Sequence, residues 1–149
     1  MTITLALIVH IDLMVGSPIE VGTVDGHNSR CIPITGGVVS GSYTGEVLAG
    51  GADWQQIGPD GTIDVDARYV LKLTEGLVEV TSQGLRAGSP DILDRLAKGE
   101  SVDPSLYYFR TAMRFKTAAP ALNRLNRILA VSTGERLANI VRLSVYEVS

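Results

Sequence analysis

Residues 62–73 read TIDVDARYVLKL. Ile63, Val65, Ala67, Tyr69, Leu71 and Leu73 fall on one parity, and Asp64, Asp66, Arg68 and Lys72 on the other. A period of two is what a strand produces when one face is buried and the other meets water. Residues 107–116, YYFRTAMRFK, repeat it, with Tyr107, Phe109, Thr111, Met113 and Phe115 against Tyr108, Arg110, Arg114 and Lys116. Two long strands of this kind, each wet on one side, make the chain all-β and largely antiparallel.

Outward from these strands, alternation and turn signals predict eight in all, at 2–14, 30–41, 46–57, 62–73, 77–86, 105–117, 127–134 and 137–147. The breaks GPDG and TEG are short enough for hairpins, so sequential strands should pair antiparallel. One helix is expected near 89–99, within SPDILDRLAKGE (89–100), with Ser89 as its cap, Pro90 in its first turn and Gly99 at its end. A shorter helical turn fits PALNRLN. There is no internal repeat or linker, and 149 residues form one domain. Eight antiparallel strands at this length read as a barrel or a sandwich. Closure removes exposed edges and leaves room for one small ligand, which favours an eight-stranded, mostly antiparallel barrel with one short helix.

Composition narrows the function classes. Hydrophobic residues are 45% and charged residues 19%, which excludes a disordered chain. The net charge of −3 argues against nucleic-acid binding. Residues 1–103 carry 14 acids and 6 Lys/Arg, and residues 104–149 carry 2 acids and 7 Lys/Arg. Such halves either neutralise each other within one domain or set a basic wall against an anionic ligand. Cys31 is the only cysteine, so no internal disulfide forms. The apolar start MTITLALIVHIDLMVG has no basic leader region and is interrupted by His10 and Asp12. It reads as a first strand, and the expected location is cytoplasmic, away from membranes. The C-terminal strand is apolar on both faces, which points to cover on both sides and a homo-oligomer, most simply a dimer.

The stretch at 47–61, VLAGGADWQQIGPDG, interrupts an apolar strand with two glycines, an acid and an indole. If the period of two holds, Asp53 points inward with Val47, Gly51 and Ile57. A bulge at Gly50–Gly51 would instead turn Trp54 inside. A carboxylate in an apolar interior is costly unless hydrogen-bonded and tends towards a raised pKa, the property of a general acid or base.

PITGGVVSG, GEVLAGGADWQ, DARYVLKL, GLRAG, DPSLYYFRTAMRFKTAAP and LNRILAVSTGER together resemble the DUF3237 family, also called UPF0311. The similarity runs from about residue 5 to residue 147, with GGADW and the YYFRT-to-LNR region as its most specific parts. The resemblance implies a β-barrel like those of the allene oxide cyclases and dirigent proteins, which hold hydrophobic small molecules and steer cyclisation or coupling. That analogy concerns the fold and does not fix the function.

Asp53, Tyr108 and Arg110 are therefore the catalytic candidates. Asp53 would move a proton, while the tyrosine and arginine stabilise an enolate or phenolate. Trp54, Arg68, Tyr69, Tyr107, Arg114 and Asn126 are the substrate-binding candidates, the arginines because a guanidinium holds planar anions in a fixed fork. For each there is a plainer reading. Asp53 could cap backbone N–H groups, the arginines could sit on solvated faces pairing with Asp64 and Asp66, and barrel packing could account for a tyrosine. His10, on the same parity as Thr2, Thr4 and Asp12, reads as exposed. Two distant histidines and one cysteine lack metal-ligand spacing, and no nucleotide fingerprint or nucleophile elbow appears. The expected function is a cofactor-free cyclase, isomerase or lyase acting on a hydrophobic oxygenated molecule with an anionic or phenolic group. A non-catalytic carrier or sensor is the alternative, distinguished by whether an ionisable group is buried in the cavity.

Overall fold

The alternation at 62–73 and 107–116 becomes the inner and outer faces of two staves in a closed sheet. The computed structural model describes the whole chain, Met1–Ser149. Its strands are β1 (Leu5–Val15), β2 (Ile19–Val24), β3 (His27–Gly41), β4 (Gly45–Val47), β5 (Gly51–Ile57), β6 (Ile63–Leu73), β7 (Gly76–Ala87), β8 (Tyr108–Lys116), β9 (Leu129–Arg136) and β10 (Ile140–Val148). Neighbours run β1-β10-β9-β8-β7-β6-β4-β3, and β1 pairs back onto β3, with Ile11 opposite Val39 and Leu13 opposite Gly37. Every pairing is antiparallel. β5 carries on the stave begun by β4, between β3 and β6, so eight staves close the barrel. β2 pairs only with the first part of β3, from Ile19 opposite Cys31 to Val24 opposite His27.

Two details differ from the sequence reading. The expected strand at 46–57 is broken, because Gly50 takes φ +108° and the chain leaves the ladder there for one turn. Gly51 then lies so close to β6 that a Cβ would stand 2.6 Å from the Arg68 carbonyl oxygen and 2.7 Å from Tyr69 Cβ. No side chain fits that approach. The second detail is β2, which was not expected, and which lengthens β3 back to His27.

The helix α1 (Pro90–Ala97) forms as its signals require. The Ser89 hydroxyl accepts the Ile92 N–H, and Gly99 at φ +77° follows the end. PALNRLN lies in a 3₁₀ segment, Pro120–Arg127, and a second 3₁₀ turn, Pro104–Leu106, takes the place of the first residues expected in the strand at 105–117. No helix is long and apolar enough to cross a membrane.

The interior has two ends of different character. At one, Ile8, Val39, Val47, Leu73, Val78, Phe115 and Val145 pack with Leu122 and Leu125 of the 3₁₀ segment, which seals the barrel. At the other, a smaller cluster of Leu96, Val102, Tyr107 and Phe109 joins α1 to the rim, and polar side chains replace aliphatic ones along the inner wall. Leu122 is fully buried in the sealed end. Leu122→Ala should therefore cost about 2–5 kcal/mol of folding stability, read from urea unfolding, without changing the polar end. A cost well under 1 kcal/mol would show that the segment is not a structural plug.

Candidate functional site

β5 keeps its period of two, so Asp53 and Gln55 face inward and Trp54 faces out. Asp53 is half-buried. Its Oδ1 accepts the backbone N–H of Asp66 at 2.9 Å, and its Oδ2 accepts Gln55 Nε2 at 2.8 Å. Gln55, buried, accepts Arg30 Nε at 2.9 Å through its own Oε1. The amide of Gln55 thus joins a cation to a carboxylate, with its donor turned to the acid and its acceptor to the base. Asp53 thus lines the cavity and at the same time satisfies an N–H of β6. Burial raises its pKa above the usual carboxylate value, and the two hydrogen bonds and Arg86 act against that rise.

Around this chain lies a cavity of about 50 Å³ of space open to water centres. Leu13, Ile32, Ile34, Val65, Ala67 and Leu143 form its apolar wall. Arg30, Arg86 and Arg136 enter from β3, β7 and β9, and Tyr69 from β6. Tyr69 is 3% exposed and its hydroxyl has no hydrogen-bond partner. Burial, and then the charge of Asp53, push that hydroxyl's pKa upward, so it stays protonated and available to donate. Arg86 is 7% exposed, its Nε is likewise unpartnered, and its guanidinium lies 5.9 Å from the centre of the Phe109 ring. Burial, followed by the neighbouring charges of Arg136 and Arg30, brings its pKa down to about 10, and it remains a cation at neutral pH. Arg136 donates to the carbonyl oxygens of Leu137 and Ala138, and its pKa is lowered by burial and then by Arg30. Ser82 and Thr111 complete the wall's polar side, and Thr111 bonds the buried Ser132 behind it at 2.6 Å.

The remaining residues nominated from sequence lie elsewhere. Trp54 is 59% exposed on the outer face, opposite Asp66. Arg68 is exposed and pairs with Glu79 rather than with Asp64 or Asp66. Tyr108 and Arg110 are exposed and stack on each other, the guanidinium 5.3 Å from the ring centre. Arg114 is exposed. All five sit on the outer parity of their strands, so the barrel wall separates them from the cavity. Tyr107 is buried beside it, packed against α1, with its hydroxyl accepting the Arg136 N–H at 2.9 Å. Asn126 lies at the sealed end. There it clamps the 3₁₀ segment to the end of β8 by accepting the Thr117 N–H at 2.8 Å and donating to the Thr117 carbonyl at 2.9 Å. His10 is exposed against Ser144. No three His, Cys, Asp or Glu side chains converge as a metal site would need.

Arg30, Gln55, Arg86 and Arg136 were not singled out from the sequence, yet parity identifies them. Arg86 shares a face with Val78, Val80 and Ser82; Arg30 with Ile32 and Ile34; Arg136 with Ala130, Ser132 and Gly134.

A closed barrel carrying one carboxylate and three arginines at one end defines the class, a β-barrel with a polar interior cavity. The family model described as "Protein of unknown function (DUF3237)" matches residues 3–148. A UPF0311 protein of Bradyrhizobium diazoefficiens is 42% identical over 120 residues, covering 80% of this chain and 79% of the relative. A UPF0311 protein of Clostridium acetobutylicum is 36% identical over 142 residues, covering 93% and 90%. The chain belongs to the DUF3237 (UPF0311) family.

Among solved structures, a conserved protein of unknown function from Rhodopseudomonas palustris superposes with a TM-score of 0.92 at 35% identity, covering 99% of this chain and 98% of that one. A beta-barrel like protein from Acinetobacter baumannii gives 0.87 at 36% identity, covering 99% and 97%. A structure described as an enzyme from Penicillium herquei gives 0.75 at 23% identity, covering 99% and 95%, and shares the fold.

The raised pKa of Asp53 carries a sign that can be measured. Between the ordinary value of 3.8 and its higher folded value, the folded state binds more protons than the unfolded one. Its stabilising contribution is therefore complete below 3.8 and is lost as pH rises through the folded pKa. Urea unfolding of wild type and Asp53→Asn from about pH 3 to about pH 7 should show the stability difference moving in favour of the variant as pH rises. A difference that stays flat would mean that Asp53 titrates as an ordinary surface carboxylate.

Proposed function

We propose that the protein is a cofactor-independent enzyme of the isomerase, cyclase or lyase type, acting by acid–base chemistry on a small oxygenated organic molecule at the polar end of the barrel. The observation that carries this reading is the pairing of a half-buried, proton-accepting carboxylate, Asp53, with an unpartnered buried hydroxyl, Tyr69, in the same cavity. In the proposed step Asp53 takes a proton from a substrate carbon or hydroxyl while Tyr69 Oη donates to the oxygen on which charge develops. The proton then returns to another atom of the same molecule or, in a cleavage, to the group that leaves. No electrons are exchanged, so the reaction needs no redox partner. A carrier could use the unpartnered Tyr69 hydroxyl and Arg86 Nε to hold a ligand, but it needs no carboxylate of raised pKa in the same cavity, and that group costs free energy to bury. The same barrel serves a protein described as an enzyme in Penicillium herquei, which supports catalysis as a use of the fold.

We also propose that the chain self-associates through the outer face of β1, β10 and β9. There Leu5 and Leu129 stand in register on either side of Val148, and Leu7 and Val131 on either side of Tyr146. Leu5, Leu7 and Leu129 are all exposed. Sedimentation at micromolar concentration should give a dimer, and Leu7→Glu should shift it to monomer. A monomer in the wild type would remove this claim.

Mass spectrometry of small molecules that co-purify with the protein identifies the compound class to test. Incubation of those compounds in D₂O, followed by NMR, should then show protein-dependent exchange or rearrangement. Asp53→Asn should lower that rate by about 10²–10⁴-fold. Its folding cost should stay near ~1 kcal/mol, because the amide sets a donor against either Gln55 Nε2 or the Asp66 N–H. A fully active Asp53→Asn would leave Asp53 as a backbone cap and end the acid–base reading.

A further inference from the structure

We propose that the polar end of the barrel binds a planar organic oxyanion, a carboxylate or a phenolate, with Arg86 as its counter-ion. This deepens the functional reading above and rests on the same cavity being the reaction site. Three guanidinium groups line that cavity against one carboxylate, but they are not equivalent. Arg30 has its Nε committed to Gln55, and Arg136 donates to two carbonyl oxygens next to it in the chain. None of the three takes part in an ion pair, but only Arg86 has its Nε buried without a hydrogen-bond partner. Asp53 acts on it only through charge, with no hydrogen bond or ion pair joining the two.

A buried cation without a close partner is among the most costly arrangements a fold can hold. Arg86 is the most enclosed of the three, and it alone has a donor that is both fully buried and without a hydrogen-bond partner. Tyr69 offers a second unused donor from the same wall. A guanidinium fork matches two oxygens of one planar group, and a hydroxyl can complete the contact. The flat ring of Phe109 under Arg86, with Ile32, Val65 and Leu143 nearby, suits an unsaturated or aromatic body attached to that group. A cavity of about 50 Å³ admits the anionic head and a few further atoms, with the rest of a larger molecule extending through the mouth.

Calorimetric titration of the full chain with benzoate and with neutral benzamide, and with 4-nitrophenolate and neutral 4-nitroanisole, tests the assignment. At least one anion should bind at least ten-fold more tightly than its neutral partner. Preference for benzoate assigns a carboxylate site, and preference for 4-nitrophenolate a phenolate site. Arg86→Met should lose at least ten-fold in affinity for that anion, whereas the exposed Lys116→Met should match wild type. Unliganded Arg86→Met should melt no lower than wild type, because it no longer buries an unpaired charge. If Arg86→Met does not fold, Arg86→Lys, which keeps the charge and removes the fork, should still weaken binding several-fold. Equal binding of neutral and anionic probes, undiminished affinity in both Arg86 variants, or no anion binding at millimolar concentration would each overturn the proposal. Asp53→Asn separates it from the acid–base reading, since that variant should keep anion affinity even where turnover is lost.

Discussion

Pairing of β1 with β10 on one side and β3 on the other closes the sheet, and the rest of the molecule follows from that closure. Once the sheet is a ring, every strand has an inside and an outside, and one residue in two must fill a fixed volume. Towards one end the volume is filled with aliphatic and aromatic side chains, among them Val78, Val80, Phe115 and Val145. Towards the other the same parity brings in Arg30, Asp53, Gln55, Tyr69, Arg86 and Arg136. Closure turns a scattered set of residues, from 30 to 136 in sequence, into one chemical environment.

That environment is held at a cost. The apolar packing supplies the stability, and the polar end draws on it through Tyr69 and Arg86, whose unpartnered groups would be replaced by aliphatic side chains in a barrel selected for stability alone. The chain Arg30–Gln55–Asp53 shows the opposite treatment, with each charge given a neighbour of the right polarity. The cavity therefore has a half whose polar groups are matched and a half whose donors are not.

Most of the architecture was legible in the sequence because it depends on period and punctuation. The inner faces of β6 and β8 match the alternation residue by residue, and α1 sits between its Ser89 cap and Gly99. β2 was missed because IEVGTV is short, is interrupted by Gly22, and pairs outside the ring, where no packing pattern marks it. Asp53 was legible because alternation holds through β5. The arginines were not, because Arg68, Arg110 and Arg114 were chosen for their charge although their parity placed them on the wet face. Parity applied to Arg30, Arg86 and Arg136 leads inside. Asn126 was nominated from a sequence element whose role is to tie down the 3₁₀ segment. What no pattern conveys is which buried groups remain unpartnered, since that depends on distances between strands remote in sequence.

The 3₁₀ segment that seals one end has a kinetic meaning. With Leu122 and Leu125 filling the base, the barrel is a cup and not a tunnel. Anything that enters must leave by the same door, and water inside must pass the incoming molecule on its way out. Traffic is thus strictly one at a time, and a molecule at the rim blocks arrival and departure alike. Under the acid–base reading, at high concentrations of a rim-binding compound the rate at which the cup empties would govern throughput, however fast the proton transfer inside it.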